Sequence, residues 1–341
     1  MRKSQRMTKA KRTFRRKKEE SIHIPEIAER IRNGDRSALS KGITLIESKN
    51  GFHRRLASEL INVLLPYTGN SIRIGITGVP GAGKSTWIET FGSNVVQKGK
   101  RIAVLAIDPS SSRSGGSILG DKTRMETLSN HPDVFIRPSP SAGTLGGVAR
   151  MTRETMLLCE AAGYDLILVE TVGVGQSEGM VRGMVDFFLL LTLTGAGDEL
   201  QGMKKGIMEL VDAIVINKAD GQNEQPAQKT RNEFSQLLHF LTPATEGWKP
   251  EAYTCSALLN KGILELWQLV TEFDKQMKQS GQFEKRRREQ SVDWMNQMLL
   301  DRLYDHFLSM ENRKERLKEY ERLVRDHQMS PTEAVDRLFE E

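Results

Sequence analysis

The stretch Gly78-Val79-Pro80-Gly81-Ala82-Gly83-Lys84-Ser85-Thr86 has the residue types and spacing to hold phosphate. It matches, at every fixed position, the glycine-rich loop that cradles a nucleoside triphosphate. Gly78, Gly81 and Gly83 let the backbone turn until successive N–H groups point at one anion. A helix starting near Lys84 adds the positive end of its dipole. Lys84 brings a full charge to the β- and γ-phosphates, and Ser85 offers a hydroxyl to Mg²⁺. The alternative is a glycine-rich turn that binds nothing. A buried strand before the loop and the helix Trp87-Ile-Glu-Thr-Phe after it argue against that. The loop does not name the base.

A second motif addresses the base. Ala213-Ile-Val-Ile-Asn217-Lys218-Ala219-Asp220 is an apolar strand ending in polar residues, at the end of a strand where open α/β sheets bind ligands. The Asp220 carboxylate can accept both N1–H and N2–H of guanine, a pair that adenine lacks. Asn217 can bond N7 or tie loops together, and the Lys218 stem can lie over the ring. Ser256-Ala257-Leu258 follows the next strand, where a backbone N–H would face guanine O6. Alone, Ser-Ala says nothing; its order and spacing give it weight.

Candidates for metal binding and hydrolysis lie between these motifs. Leu166-Ile-Leu-Val-Glu170-Thr-Val-Gly173 is an apolar strand ending in a carboxylate, with glycine three residues on. Glu170 can hold Mg²⁺ or its water, and Gly173 can bring a bare N–H to the γ-phosphate. Another strand ends in Asp108-Pro-Ser-Ser, followed by Gly116-Ser-Ile-Leu-Gly120-Asp121. Asp108 and Asp121 occupy the sequence position of a switch segment, with a cap or turn carboxylate as the competing reading for each. Metal ligation is expected at Ser85 and Glu170. After Gly173 comes Val174, where small regulatory GTPases have a water-orienting glutamine, so slow hydrolysis without a partner is expected. The polar loop Gly195–Gly206 suits either a surface connection or a mobile element reporting the nucleotide state.

These motifs need a scaffold that brings strand ends together. Short β-branched runs alternate with helical stretches: Ile72–Thr77, Ile102–Ile107, Val134–Ile136, Leu166–Val169, Phe187–Leu193, Ala213–Ile216 and Tyr253–Cys255. Near-continuous apolar strands between helices imply a parallel sheet covered on both faces. The expected class is α/β: a P-loop NTPase, mostly parallel sheet sandwiched by helices, with helical N- and C-terminal extensions. The expected organisation is a disordered basic tail over 1–20, a helical segment over 21–70, the P-loop domain over 71–280 and a charged helical arm over 281–341.

The formal net charge of +6 is unevenly spread. Residues 1–20 hold ten basic and two acidic side chains, leaving −2 for the remaining 321 residues. The excess therefore sits on an extension rather than a folded basic face, which weakens a nucleic-acid reading. The tail is read as solvated and disordered, with targeting or an anionic surface as its alternatives. A hydrophobic content of 38% without an apolar run near 18 residues gives no membrane-spanning helix. Cys159 and Cys255 are expected to be buried, inert thiols in a reducing, cytoplasmic setting.

Taken together, the motifs resemble the MeaB/ArgK-type P-loop GTPases, the methylmalonyl-CoA mutase-associated GTPases. The resemblance rests on Gly78–Thr86, Asp108-Pro-Ser-Ser, Gly116–Met125, Glu170–Glu178, Gly195–Gly206, Asn217–Asp220 and Ser256-Ala, and spans about residues 24–330. It implies GTP/GDP and Mg²⁺ as ligands, with Ser85, Asp108, Asp121 and Glu170 serving the metal and Lys84, Asp108 and Glu170 carrying the reaction, and slow hydrolysis stimulated by a partner. It implies a homodimer built on a C-terminal helical arm. It also implies association with an adenosylcobalamin-dependent acyl-CoA mutase, whose cofactor loading and reactivation the GTPase gates, and with a cobalamin adenosyltransferase as a further partner. Neither nucleic acid nor membrane is an expected partner. The competing readings are a metal-delivery GTPase, a transport-linked ATPase or kinase, a GTP-bound scaffold and an RNA-binding GTPase. The first would want a Cys/His ligand cluster, whereas the six histidines and two cysteines are scattered.

Overall fold

A computed structural model describes residues 22–48, 50–107, 125–139, 145–171, 178–195 and 205–340. Seven strands form one sheet: β1 (Ile72–Gly78), β2 (Ile102–Ile107), β3 (Val134–Ser139), β4 (Leu166–Thr171), β5 (Phe187–Thr192), β6 (Ala213–Ile216) and β7 (Glu251–Thr254). Their spatial order is β3-β2-β4-β1-β5-β6-β7, and every pairing is parallel. The phosphate-loop strand β1 is thus central, between β4 and β5. Ile76 pairs with Glu170 on one side and Leu189 on the other. Parallel register brings the C-terminal ends of these strands to one edge of the sheet.

The strands are largely apolar because helices cover both faces. On one face lie α4 (Lys84–Val96), α5 (Glu126–Ser129) and α9 (Ile263–Gln279), with Trp87, Phe91 and Phe273 fully buried among strand side chains. The Trp87 and Phe91 rings stack at 4.4 Å. The other face is covered by α6 (Leu145–Ala161), α7 (Glu178–Arg182) and α8 (Glu224–His239).

Three N-terminal helices, α1 (Ile24–Arg32), α2 (Arg36–Glu47) and α3 (Gly51–Leu64), share that second core. Asp35 accepts from the backbone N–H groups of Ser37 and Ala38, and Asn50 from that of Phe52, so side-chain caps fix where α2 and α3 begin. Gly42 of α2 lies where the other helices converge. A Cβ there would be 2.9 Å from Leu158 of α6 and 3.1 Å from Leu60 of α3.

After α9 the chain leaves the sheet as a long helix, α10 (Gln282–Ser309), followed by α11 (Arg313–Arg325) and α12 (Pro331–Glu340). Tyr320, Ala334 and Leu338 form a small separate core under these last helices. No helix among the described residues is long and apolar enough to cross a membrane. Several strands run further than their apolar runs suggest; the central β4 continues past Val169 to Thr171. β3 continues through Arg137 and Pro138 to Ser139, and β7 starts at Glu251. Both are edge strands, where polar residues and a proline are tolerated.

Candidate nucleotide site

The phosphate loop turns from β1 into α4. Gly78 allows the strand to pass against β5: a Cβ there would lie 2.0 Å from the Leu191 carbonyl oxygen. Gly83, the residue before α4, has φ +84°, and a Cβ on it would meet Asn217 Nδ2 at 2.9 Å. Val79 and Ala82 are buried, whereas Pro80, Gly81 and Thr86 are exposed. Lys84 folds back over the loop and donates to the Gly78 carbonyl at 2.8 Å. Burial pushes the Lys84 pKa below its ordinary value, and the carboxylates of Glu170 and Glu178 oppose that fall. Among the described residues this half-buried ammonium bonds backbone carbonyls, with two acids beyond them, and is placed to take a polyanion. The loop also lies at the N-terminus of a 13-residue helix. These features fit a nucleotide's phosphates.

Glu170 is the penultimate residue of β4 and is buried; Ser85 Oγ lies 3.5 Å from its Oε1. A hydroxyl beside a carboxylate is a hard, all-oxygen donor pair, the kind Mg²⁺ takes. Asp108, Asp121, Gly173 and Val174 lie outside the described residues, as does most of the Gly195–Gly206 loop. Among the described residues, no group of three or more His, Cys, Asp and Glu side chains is placed to hold a metal ion.

The structure brings the base motif to the phosphate loop and shows how. Asn217 is 2% exposed, and both ends of its amide are committed within the protein. Nδ2 donates to the Ala82 carbonyl at 2.8 Å, and Oδ1 accepts from the Ala257 N–H at 3.1 Å. Of the two roles open to it, tying loops together is therefore the one observed. Lys218, exposed and with φ +58°, carries the chain past the sheet edge. Ala219 N–H then bonds the Cys255 carbonyl at 2.9 Å. The Ser256 hydroxyl donates to the Asp220 carboxylate and accepts from the Leu259 N–H. Ser256, fully buried, thereby aims the acid expected to read guanine. Thr90 of α4 donates to the Ala257 carbonyl at 2.8 Å, so the helix at the phosphate end also steadies the base end. Leu258 is 79% exposed at the rim.

Cys159 and Cys255 are free and buried. Desolvation pushes both thiols up, Cys255 to about 12, which leaves them unreactive at neutral pH.

One residue near the site was not singled out by sequence reasoning. Glu178, the first residue of α7, is 5% exposed and accepts from Thr77 Oγ1 at 3.4 Å. Thr77 in turn accepts from Thr171 at 2.9 Å. The only signal was its membership of the long Glu170–Glu178 phrase.

The profile of the family described as "Methylmalonyl Co-A mutase-associated GTPase MeaB" matches residues 39–312. The chain belongs to this family. A probable GTPase of Mycobacterium tuberculosis is 49% identical over 317 residues, covering 93% of this chain and 94% of the relative. GTPase ArgK of Escherichia coli is 44% identical over 317 residues, covering 93% and 96%. The mouse methylmalonic aciduria type A homolog, a mitochondrial protein, is 44% identical over 316 residues, covering 90% and 76%. Among solved structures, the crystal structure of an LAO/AO transport system kinase superposes with a TM-score of 0.75 at 38% identity, covering 93% of this chain and 96% of that one. As a MeaB-family member, the chain has the P-loop GTPase fold that its seven parallel strands display.

Proposed function

We propose that this chain is a GTP-hydrolysing chaperone for an adenosylcobalamin-dependent acyl-CoA mutase of the methylmalonyl-CoA mutase type, gating cofactor loading and reactivation. The observation that carries the nucleotide part is Asn217. One buried side chain bonds the phosphate loop with one end and the guanine-side loop with the other, so both halves of a GTP site are built as one body. Lys84 and the N–H groups of the loop and of the start of α4 take the phosphates. Ser85 and Glu170 would hold Mg²⁺, with Asp108 and Asp121 as further ligands, and the ion would supply positive charge beside the phosphates. Asp220, held by Ser256, selects guanine. Val174 in place of a water-orienting glutamine makes hydrolysis slow until a partner assists.

The mutase part rests on the family's name and on its relatives. A homodimer is supported by α10, where Val292, Met295, Leu299, Leu300, Leu303 and Tyr304 are each more than half exposed on one long helix. Unpartnered apolar side chains at this density mark a contact surface. The transport-kinase name of the structural neighbour supports a second reading, an ATPase or kinase; the acid paired with Ser256 beside Asn217 favours guanine. The test is retention of the chain on an immobilised adenosylcobalamin-dependent acyl-CoA mutase with GTP, GDP or no nucleotide. Nucleotide-dependent retention supports the assignment, and absence of retention in all three refutes it.

A further inference from the structure

Helix α7 joins two distant parts of the molecule. At its start, Glu178 accepts from Thr77 at the end of β1, beside Lys84. At its end, Arg182 is 7% exposed and reaches the opposite edge of the sheet, where it pairs with Asp212 just before β6. Between them the helix rests on the backbone of β1 itself. A Cβ on Gly75 would lie 2.9 Å from Val181 and 2.6 Å from Phe188. Five helical residues rise only about 7.5 Å, so a shift at one end is felt at the other.

The Arg182 end and the root of α10 share one hydroxyl, beside the bond from Gln290 of α10 to the Val185 carbonyl. A threonine hydroxyl has one proton to donate and two acceptor sites. All three are filled at Thr245, which is buried. Its Oγ1 accepts from Arg182 Nη2 at 2.7 Å and from Arg286 Nη1 at 2.9 Å, and donates to the Asp212 carboxylate. Arg286 belongs to the first turns of α10 and also donates to the Asp186 carbonyl at 2.8 Å. The next residue, Arg287, bonds the Asp186 and Glu160 carboxylates and the Ser71 carbonyl just before β1. The arm is therefore rooted in the same charged layer that holds α7.

We propose that the Thr245 hydroxyl is a positioning joint between the C-terminal arm and the nucleotide site. Arg286 reports the arm's placement, Arg182 carries it along α7, and Glu178 delivers it beside Lys84. Nucleotide binding and the arm's placement then bias each other, and a partner that moves the arm changes the hydrolysis rate. The joint deepens the GTPase reading above and rests on it.

The experiment uses the full chain, with hydrogen exchange of residues 282–292 measured in GDP and in a non-hydrolysable GTP analogue, together with kcat and KM for GTP. Wild type is expected to show different exchange in the two nucleotides. Thr245→Val keeps the shape and removes the hydroxyl. It should abolish that difference and lower kcat about fivefold, the worth of one net hydrogen bond, with KM within twofold. Thr245→Ser should restore both. If Thr245→Val fails to fold, Arg286→Met cuts the same joint from the arm side and carries the same expectation. A nucleotide-dependent difference that survives the cut overturns the joint, as does its loss in Thr245→Ser. Wild type that binds both nucleotides with identical exchange overturns it too. Wild type that binds neither overturns the GTPase reading itself.

Discussion

Replacing Asn217 by alanine removes both bonds that join the two halves of the proposed site. The Ala82 carbonyl and the Ala257 N–H would each lose a partner, and Cys255 Sγ its contact with Oδ1. A buried polar group left unpaired costs about 1–3 kcal/mol. Two such groups set a range of about 2–6 kcal/mol, and the small hole left by the shorter side chain lets the loops relax, so about 2–4 kcal/mol is expected. Binding must restore the loop alignment that Asn217 no longer holds. At about 1.4 kcal/mol per decade, GDP affinity should fall by roughly 30- to 1,000-fold. Asn217→Asp separates the two bonds. It keeps an acceptor for Ala257 but turns a carboxylate oxygen toward the Ala82 carbonyl, so it should be at least as damaging as alanine. The assay is titration with a fluorescent GDP analogue, with thermal unfolding of each variant as a control for folding. GDP affinity within twofold of wild type in a folded Asn217→Ala protein refutes the reasoning. Near-normal Asn217→Asp means that the bond to Ala82 does not matter.

Other outcomes follow from single observations. Gly78→Ala should cost at least about tenfold in GTP affinity while leaving a folded protein, because a Cβ 2.0 Å from the Leu191 carbonyl forces β1 and β5 apart at the phosphate loop; calorimetric titration checks it. Burial alone would raise the Asp186 pKa, but Arg287 and Arg73 outweigh it and hold it below the ordinary carboxylate value. A depressed folded pKa gives stability that is complete above the unfolded value, about 4, and is lost as pH falls through the folded value. Denaturant unfolding below pH 4 should accordingly show a shallower pH dependence for Asp186→Asn than for wild type. Leu299→Asp combined with Leu303→Asp, on an exposed face of α10, should leave a folded monomer by sedimentation if that face is the dimer contact.

The sheet was legible because burial on both faces writes a strand as an unbroken apolar run; β5, Phe187–Thr192, is buried at every position. Edge strands carry a weaker signal. Arg137 and Pro138 in β3 and Glu251 in β7 face fewer neighbours, so their runs looked shorter than the paired segments are. The phosphate loop and Asp220 stand out in the sequence because the chemistry proposed for them needs fixed residue types at short spacing. The role of Asn217 was open, since spacing does not reveal that its partners lie at Ala82 and Ala257. The joint at Thr245 had no sequence signal: the threonine stands in a turn-like Thr-Pro-Ala-Thr-Glu-Gly stretch. Its partners Arg182 and Arg286 are 63 and 41 residues away, brought together only by the parallel sheet and the return of α10.

The most direct test of the central claim is single-turnover release of phosphate from GTP and from ATP. It would be measured for the full chain alone and with an adenosylcobalamin-dependent acyl-CoA mutase, with Lys84→Ala as the control. The expected result is slow release from GTP only, faster with the mutase and absent in Lys84→Ala. Equal turnover of ATP, a rate indifferent to the mutase, or undiminished activity in Lys84→Ala would contradict the account.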